Sequence, residues 1–239
     1  MKRRAVLGGA ILAAFGGRAF ASPGIAAGGA SFTIADAEYR LADLLAPAGR
    51  EPFAVQSRAS LQKILASGRL DIVDQAGPDR WGRRVVAAAV ETADGVRSVQ
   101  ELLLLDGAAR VRPESDRARI ARLLAAEEEA RAAVRGLWGL SAYAVRDAAT
   151  HRATGAFHLI EGAVKSAAAT KGRAFLNFGA DYRTDVTATA SSRDARRWAK
   201  TGLDWAELSG KRVRIRGYVA WINGPSIEIV HPMQIEVLA

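Results

Sequence analysis

Residues 212–222 alternate between apolar and polar side chains. Val213, Ile215, Val219 and Trp221 fall on one side, Arg212, Arg214, Arg216 and Tyr218 on the other. A period of two belongs to a β-strand with one buried face. Asn223-Gly224-Pro225 then leads into a second strand over 226–237, as a hairpin requires. Upstream, the pattern predicts strands over 157–167, 173–179 and 184–190 and a helix over 193–200.

Strand, strand, strand, helix, strand, strand is the order of a five-stranded OB barrel. The N-terminal half combines similar parts. A strand-like stretch covers 32–45. Phe53, Ala54, Leu61, Ile64 and Leu65 place a helix over 52–66, with Pro52 near its first turn. Two strands, 69–73 and 84–90, are joined through Gly77-Pro78-Asp79 and Gly82. A short helix is expected over 98–105 and a longer one over 113–137, which Gly136 is placed to end. Residues 140–155 carry little pattern and read as a connection. The expected fold class is mainly β with α (α+β), as two OB-fold β-barrel domains.

The chain begins MKRRAVLGGAILAAFGGRAFA, with three cations, an apolar run from Ala5 to Phe15, and Ala19-Phe20-Ala21 at its end. That is the layout of a signal peptide over residues 1–21, cleaved after Ala21. Arg3-Arg4 also fits a twin-arginine signal. The run is shorter than the roughly 20 residues a membrane-spanning helix needs. A periplasmic or secreted location is therefore expected. Of 239 residues, 34 are Lys or Arg and 25 Asp or Glu, for a net charge of +9. Removing residues 1–21 takes four cations and no acids, leaving 30 against 25 and a net charge of +5. A mild positive excess permits binding to polyanions. The absence of cysteine excludes disulfides, thiolate metal sites and cysteine nucleophiles. Residues 22–31 (SPGIAAGGAS) read as a flexible linker.

Four segments then stand in order: Arg40-Leu41 with Pro47, Asp79-Arg80-Trp81-Gly82-Arg83, residues 103–111 (LLLDGAARV), and residues 127–139 (EEEARAAVRGLWG). In order and approximate spacing they resemble the staphylococcal-type thermonuclease family. Residues 32–139 are accordingly expected to be an SNase-like OB domain, followed by a second OB-fold domain over 156–239. The resemblance implies a calcium-dependent phosphodiesterase acting on DNA or RNA. Two aspartates and a carbonyl would hold calcium, a glutamate would position or activate water, and two arginines would contact the phosphate. Arg40 and Arg83 occupy the arginine positions. On the metal side the family's Asp-Thr-Pro-Glu is replaced by Leu45-Ala46-Pro47-Ala48, and the segment before Arg40 that should carry Asp-Gly-Asp-Thr reads GIAAGGAS, without a carboxylate. Calcium takes six to eight oxygens, with affinity set by ligand charge. No metal site and no cofactor are therefore expected, and whether the chain is an enzyme stays open.

Other residues carry alternatives. Asp36, Glu38 and Arg40 share a strand face near Asp43, either as a relocated metal site or as a solvated face with an ion pair. Arg212, Arg214, Arg216 and Tyr218 form an arginine row ending in a ring, as a single-strand-binding surface would. Arg173, Phe175 and Asn177 would add to it if they point outward. The competing reading is a solvated sheet face with cross-strand pairs. His151, His158 and His231 show no metal spacing, and residues 127–129 read as a helix surface. Three functions follow as expectations: a weakened thermonuclease-family protein binding single-stranded nucleic acid or another polyanion, an active secreted nuclease with a non-standard metal site, and a cell-envelope interaction scaffold. Oligomeric state is not legible.

Overall fold

The computed structural model describes residues 18–19, 24–181 and 183–238. Apart from 18–19, the expected signal peptide lies outside the described residues. The fold is α+β, with mixed sheets and four α-helices among the described residues. In chain order the first half holds β1 (Arg18–Ala19), β2 (Ile25–Ala26), β3 (Ser31–Ile34), β4 (Ala37–Leu41) and β5 (Leu44–Leu45). Then come α1 (Ala54–Leu65), β6 (Arg69–Ala76), β7 (Arg84–Thr92), β8 (Gly95–Ser98), α2 (Val99–Leu105), β9 (Arg110–Val111) and α3 (Arg117–Ala132). Seven strands form one sheet in the order β1-β6-β7-β4-β3-β2, with β8 on β7. All its pairs are antiparallel except β4 with β7. The helices pack their apolar stripes on it. Leu61, Ile64 and Leu65 of α1, Leu103 and Leu104 of α2, and Ile120 and Leu123 of α3 join Phe32 and Leu41 in one core. Ser98 and Asp116 cap α2 and α3 by accepting the Glu101 and Arg119 amides.

Residues 24–31 of the segment expected as a flexible linker are instead built into this half; Ser22 and Pro23 lie outside the described residues. Ala26 is buried, its amide donates to Gln62 Oε1 (2.9 Å), and its carbonyl accepts from Arg58 Nε (2.8 Å). Gly29 is a point of close approach, because a Cβ there would lie 2.0 Å from Ser57 Oγ and 2.7 Å from Ala46 Cβ. The small residues read as linker composition are thus small because α1 crosses over them.

The second half holds β10 (Arg146–Asp147), β11 (Phe157–Ala163), β12 (Ser166–Ala169), β13 (Arg173–Asn177), β14 (Thr187–Ser191), α4 (Ser192–Ala199), β15 (Arg212–Trp221), β16 (Pro225–Glu228) and β17 (Ile235–Val237). Its sheet runs β10-β11-β15-β16-β14-β13-β12, with β17 on β15. No strand pair closes this path into a barrel. β11, next to the end strand β10, and β12 at the other end are nevertheless joined by a short bend. At the bend, Val164 N donates to Lys211 O (2.9 Å) and Lys165 N to Asn177 O (2.8 Å). The chain thus links the two ends of the open sheet, which curves around a core that includes Ile160, Leu176, Trp198, Trp205, Val213, Ile215 and Ile227. Among the described residues no helix is long and apolar enough to cross a membrane.

The two halves pack against each other. Residues 140–155 hold a 3-10 turn at Ser141–Tyr143 as well as β10, and the Tyr143 hydroxyl donates to Pro52 O (2.6 Å). Trp138, Tyr143, Phe157 and Leu159 form a joining apolar cluster. Arg110 lies over the Tyr143 and Phe157 rings and donates to Phe157 O (2.8 Å). His231 Nδ1 accepts from the Met233 amide (3.1 Å), so its Nε2 carries the proton and donates to Ser115 O (2.9 Å).

Arg214 and Arg216 of the β15 row belong to this contact, which corrects their expected solvent-facing orientation, while Arg212 stays exposed. Arg216 is fully buried, with NH1 donating to Glu127 (2.7 Å) and NH2 to Glu236 (2.6 Å). Arg214 is buried too, held by Glu161 (2.7 Å) and Glu128 (3.1 Å). The alternation is as read, but α3 of the first half covers that face of the strand. Of the three glutamates read as helix surface, Glu128 and Glu129 are exposed as expected, and only Glu127 is corrected: it is buried, and its second oxygen accepts from the Val111 amide (2.6 Å). Trp221, expected inside, is 62% exposed at the strand's end.

His151 and His158 meet edge to face at 4.7 Å. Burial, and then the charges of His151, Arg146 and Arg110, push the His158 pKa down to about 4. A histidine with a depressed folded pKa stays neutral while its unfolded form takes up a proton. Stability is therefore lost as pH falls from about 6.5 toward 4. After allowing for solvent screening, the expected loss between pH 7 and pH 5 is about 1 kcal/mol. Urea midpoints at the two pH values measure it. The drop should shrink in His158→Gln; an equal drop in that variant would contradict the assignment.

Candidate functional site

Arg40 lies on β4 and Arg83 immediately precedes β7. The parallel register, Tyr39 opposite Arg84 and Arg40 opposite Val85, brings them to the same end of the sheet. The residues before β7 form a tight turn that the Asp-Arg-Trp-Gly-Arg sequence dictates. Asp79 Oδ1 accepts the Trp81 (3.0 Å) and Arg83 (3.1 Å) amides, and Gly82 takes the left-handed φ of 80° that a residue with Cβ resists. Trp81 stands at the tip, 62% exposed, with the Arg80 and Arg83 guanidiniums 3.9 and 4.9 Å from its ring centre.

The two arginines converge on one shared carboxylate, Asp79, and Arg40 reaches a second, Glu114. Asp79 Oδ2 accepts from Arg83 Nε (2.9 Å) and lies 3.7 Å from Arg40 Nε. Glu114 Oε2 accepts from Arg40 NH1 (2.9 Å), and its other oxygen is paired with Arg112. Burial alone would raise the Asp79 pKa. The hydrogen bonds from the Arg83 side chain and from the Trp81 and Arg83 amides outweigh it and hold the carboxyl below its ordinary value. Three guanidiniums thus face two carboxylates, so the cluster keeps one positive charge. Such a patch can receive an anion when phosphate oxygens take over carboxylate positions, because guanidinium forks suit both. Sequence reading found Arg40, Arg83 and the nearby Asp79. It missed Glu114, which lies 74 residues from Arg40 and carries no local signal.

The metal side has a different character. Leu45 packs toward the Trp138–Tyr143 cluster, Ala46 is buried and Ala48 is exposed. Asp43 is wholly buried, and its carboxylate accepts from the Glu114 amide (2.9 Å), the Ser115 amide (2.8 Å), Ser115 Oγ (2.7 Å) and Arg119 Nε (2.7 Å). Four donors leave it no place in a cation's shell. Asp36 and Glu38 are exposed and do not converge with it. Among the described residues no three His, Cys, Asp or Glu side chains group so as to hold a metal ion. The residues present do not fit the calcium cage that the family resemblance implies, because the nearby acids are already engaged by arginines and amides.

The remaining sequence-derived candidates separate. Arg212 is exposed beside Glu161 (3.4 Å), and Tyr218 is 55% exposed with its ring edge-on to Phe157. Arg214 and Arg216 are withdrawn into the contact between halves. Arg173, Phe175 and Asn177 line a groove on the other side of the second sheet.

Residues 38–139 match the family model described as staphylococcal nuclease homologue. The match spans β4 through the turn that ends at Gly139, and includes Arg40, Asp79, Arg83 and Glu114. No curated protein matches the chain.

Proposed function

We propose that this chain is an exported member of the thermonuclease family that grips the phosphates of nucleic acid without the calcium-dependent hydrolysis the family is built for. One observation carries the reading. Arg40 and Arg83 are retained and meet at one patch, while the acidic positions beside them are Leu45 and Ala48 and the acids they touch, Asp79 and Glu114, are already paired. Export rests on the leader over residues 1–21. Fixed cations stabilise charge on a phosphate, whereas the calcium-dependent attack that the family resemblance implies also uses an activated water and a Lewis acid. With only the first in place, the site holds a phosphodiester without cleaving it.

The test is fluorescence anisotropy of the full-length protein with a labelled single-stranded oligonucleotide across a salt series. Affinity should fall steeply with salt. Each phosphate contact contributes about 0.7 to the logarithmic slope, so Arg40→Ala/Arg83→Ala should lower it by about 1.4. Absence of binding at low salt removes the reading.

A further inference from the structure

The outer face of β13 carries Arg173, Phe175 and Asn177, while Ala174 and Leu176 between them are buried. Register sets Phe175 opposite Thr189 and Asn177 opposite Thr187, and Thr187 in turn opposite Ser226 of β16. The small side chains of β14 and β16 leave the face hollow. The tip of the β15–β16 hairpin, with Ile222 60% exposed, rises beside it. The result is a groove of about 510 Å³, within the ~300–1,000 Å³ usual for ligand sites. Its polar atoms have modest partners. Arg173 NH1 reaches Thr189 Oγ1 at 3.2 Å, its pair with exposed Glu228 is 3.8 Å long, and the Asn177 amide donates to Ser166 Oγ at 3.1 Å.

We infer that this groove is a second binding site, for a single strand of nucleic acid, separate from the Arg40–Arg83 patch; the choice of ligand rests on the function proposed above. The chain's charge points there. Residues 24–139 hold sixteen Lys and Arg against sixteen Asp and Glu, whereas residues 157–238 hold twelve against eight. The second half thus carries the larger positive excess, although Arg214 and Arg216 within it are turned into the contact between halves and only the others can act at the groove. Exposed Lys171 sits in the turn at the Arg173 end, and exposed Lys165 follows the bend beside Asn177, so cations stand at both ends. Between them Phe175 offers a ring and Asn177 an amide, spaced about 6.6 Å apart along the strand. Charge for the backbone, a ring for a base face and an amide for a base edge are what an unpaired strand engages. A duplex keeps its base faces stacked and out of reach of Phe175.

The probe is a 5′-fluorescein single strand of mixed sequence, with a duplex of the same sequence as control, measured by anisotropy with the full chain. Phe175→Ala is expected to weaken single-strand binding about tenfold. Ala168 lines the groove at an exposed position on β12, so a charge there changes the field without disturbing the core. Ala168→Glu is expected to weaken binding severalfold and Ala168→Lys to tighten it, with little change for the duplex. Unchanged affinity in Ala168→Glu and Phe175→Ala, with loss only in Arg40→Ala/Arg83→Ala, overturns the groove and leaves the first site standing. Loss only in the groove variants supports the groove and overturns the first site. No binding by the parent protein overturns both.

Discussion

Replacing Arg216 by methionine is expected to cost about 3–5 kcal/mol, the range for breaking a buried ion pair from one side. The guanidinium is fully buried and bridges Glu127 of α3 to Glu236 of β17. Without it, the buried Glu127 carboxylate loses its counter-charge, while the partly exposed Glu236 keeps only its 3.4 Å contact with Arg214. Glu127 must also go on accepting the Val111 amide. Because the penalty comes mainly from the stranded Glu127 charge, Arg216→Met/Glu127→Gln should recover part of it, since the glutamine oxygen can still accept that amide. Urea denaturation of the three proteins measures the cycle. A loss below about 1 kcal/mol in Arg216→Met would show that the pair is not the clasp between the halves.

Asp43→Ala is expected to cost about 3–4 kcal/mol, because four donors lose their acceptor and Arg119 loses its counter-charge. Asp43 has φ of 66°. Asparagine tolerates that backbone better than alanine and keeps one acceptor oxygen, so Asp43→Asn should cost less. The consequence reaches the candidate site. The Asp43 carboxylate fixes the 114–115 backbone and thereby sets Glu114 against Arg40. Thermal unfolding reads the stability loss, and equal losses for the two variants would contradict this account of the backbone.

Much of this was legible in the sequence, for identifiable reasons. Helix α1 announced itself through Leu61, Ile64 and Leu65, and β15 through its alternation, because burial on one face imprints a period. The Asp79–Arg83 turn was legible because its geometry demands a short acceptor and a glycine. The fate of the β15 arginines was not. Alternation says that Arg214 and Arg216 share a face, but not that another half of the chain covers it. A clue lay in the run Glu127-Glu128-Glu129, whose charge complements that row, though sequence alone gives no register between them. The segment over residues 22–31 misled because small residues serve both loose chain and close packing. Glu114 was invisible because only the fold brings it to Arg40.

On this reading Arg40 and Arg83 hold phosphate, while the acids they touch, Asp79 and Glu114, are already engaged and no acidic cluster among the described residues could hold calcium. The most direct test incubates the full-length protein with a labelled single-stranded oligonucleotide in calcium and in EDTA, following affinity and strand length together. The account predicts one affinity in both buffers and an intact strand. Calcium-dependent cleavage that disappears in Arg83→Ala would contradict it.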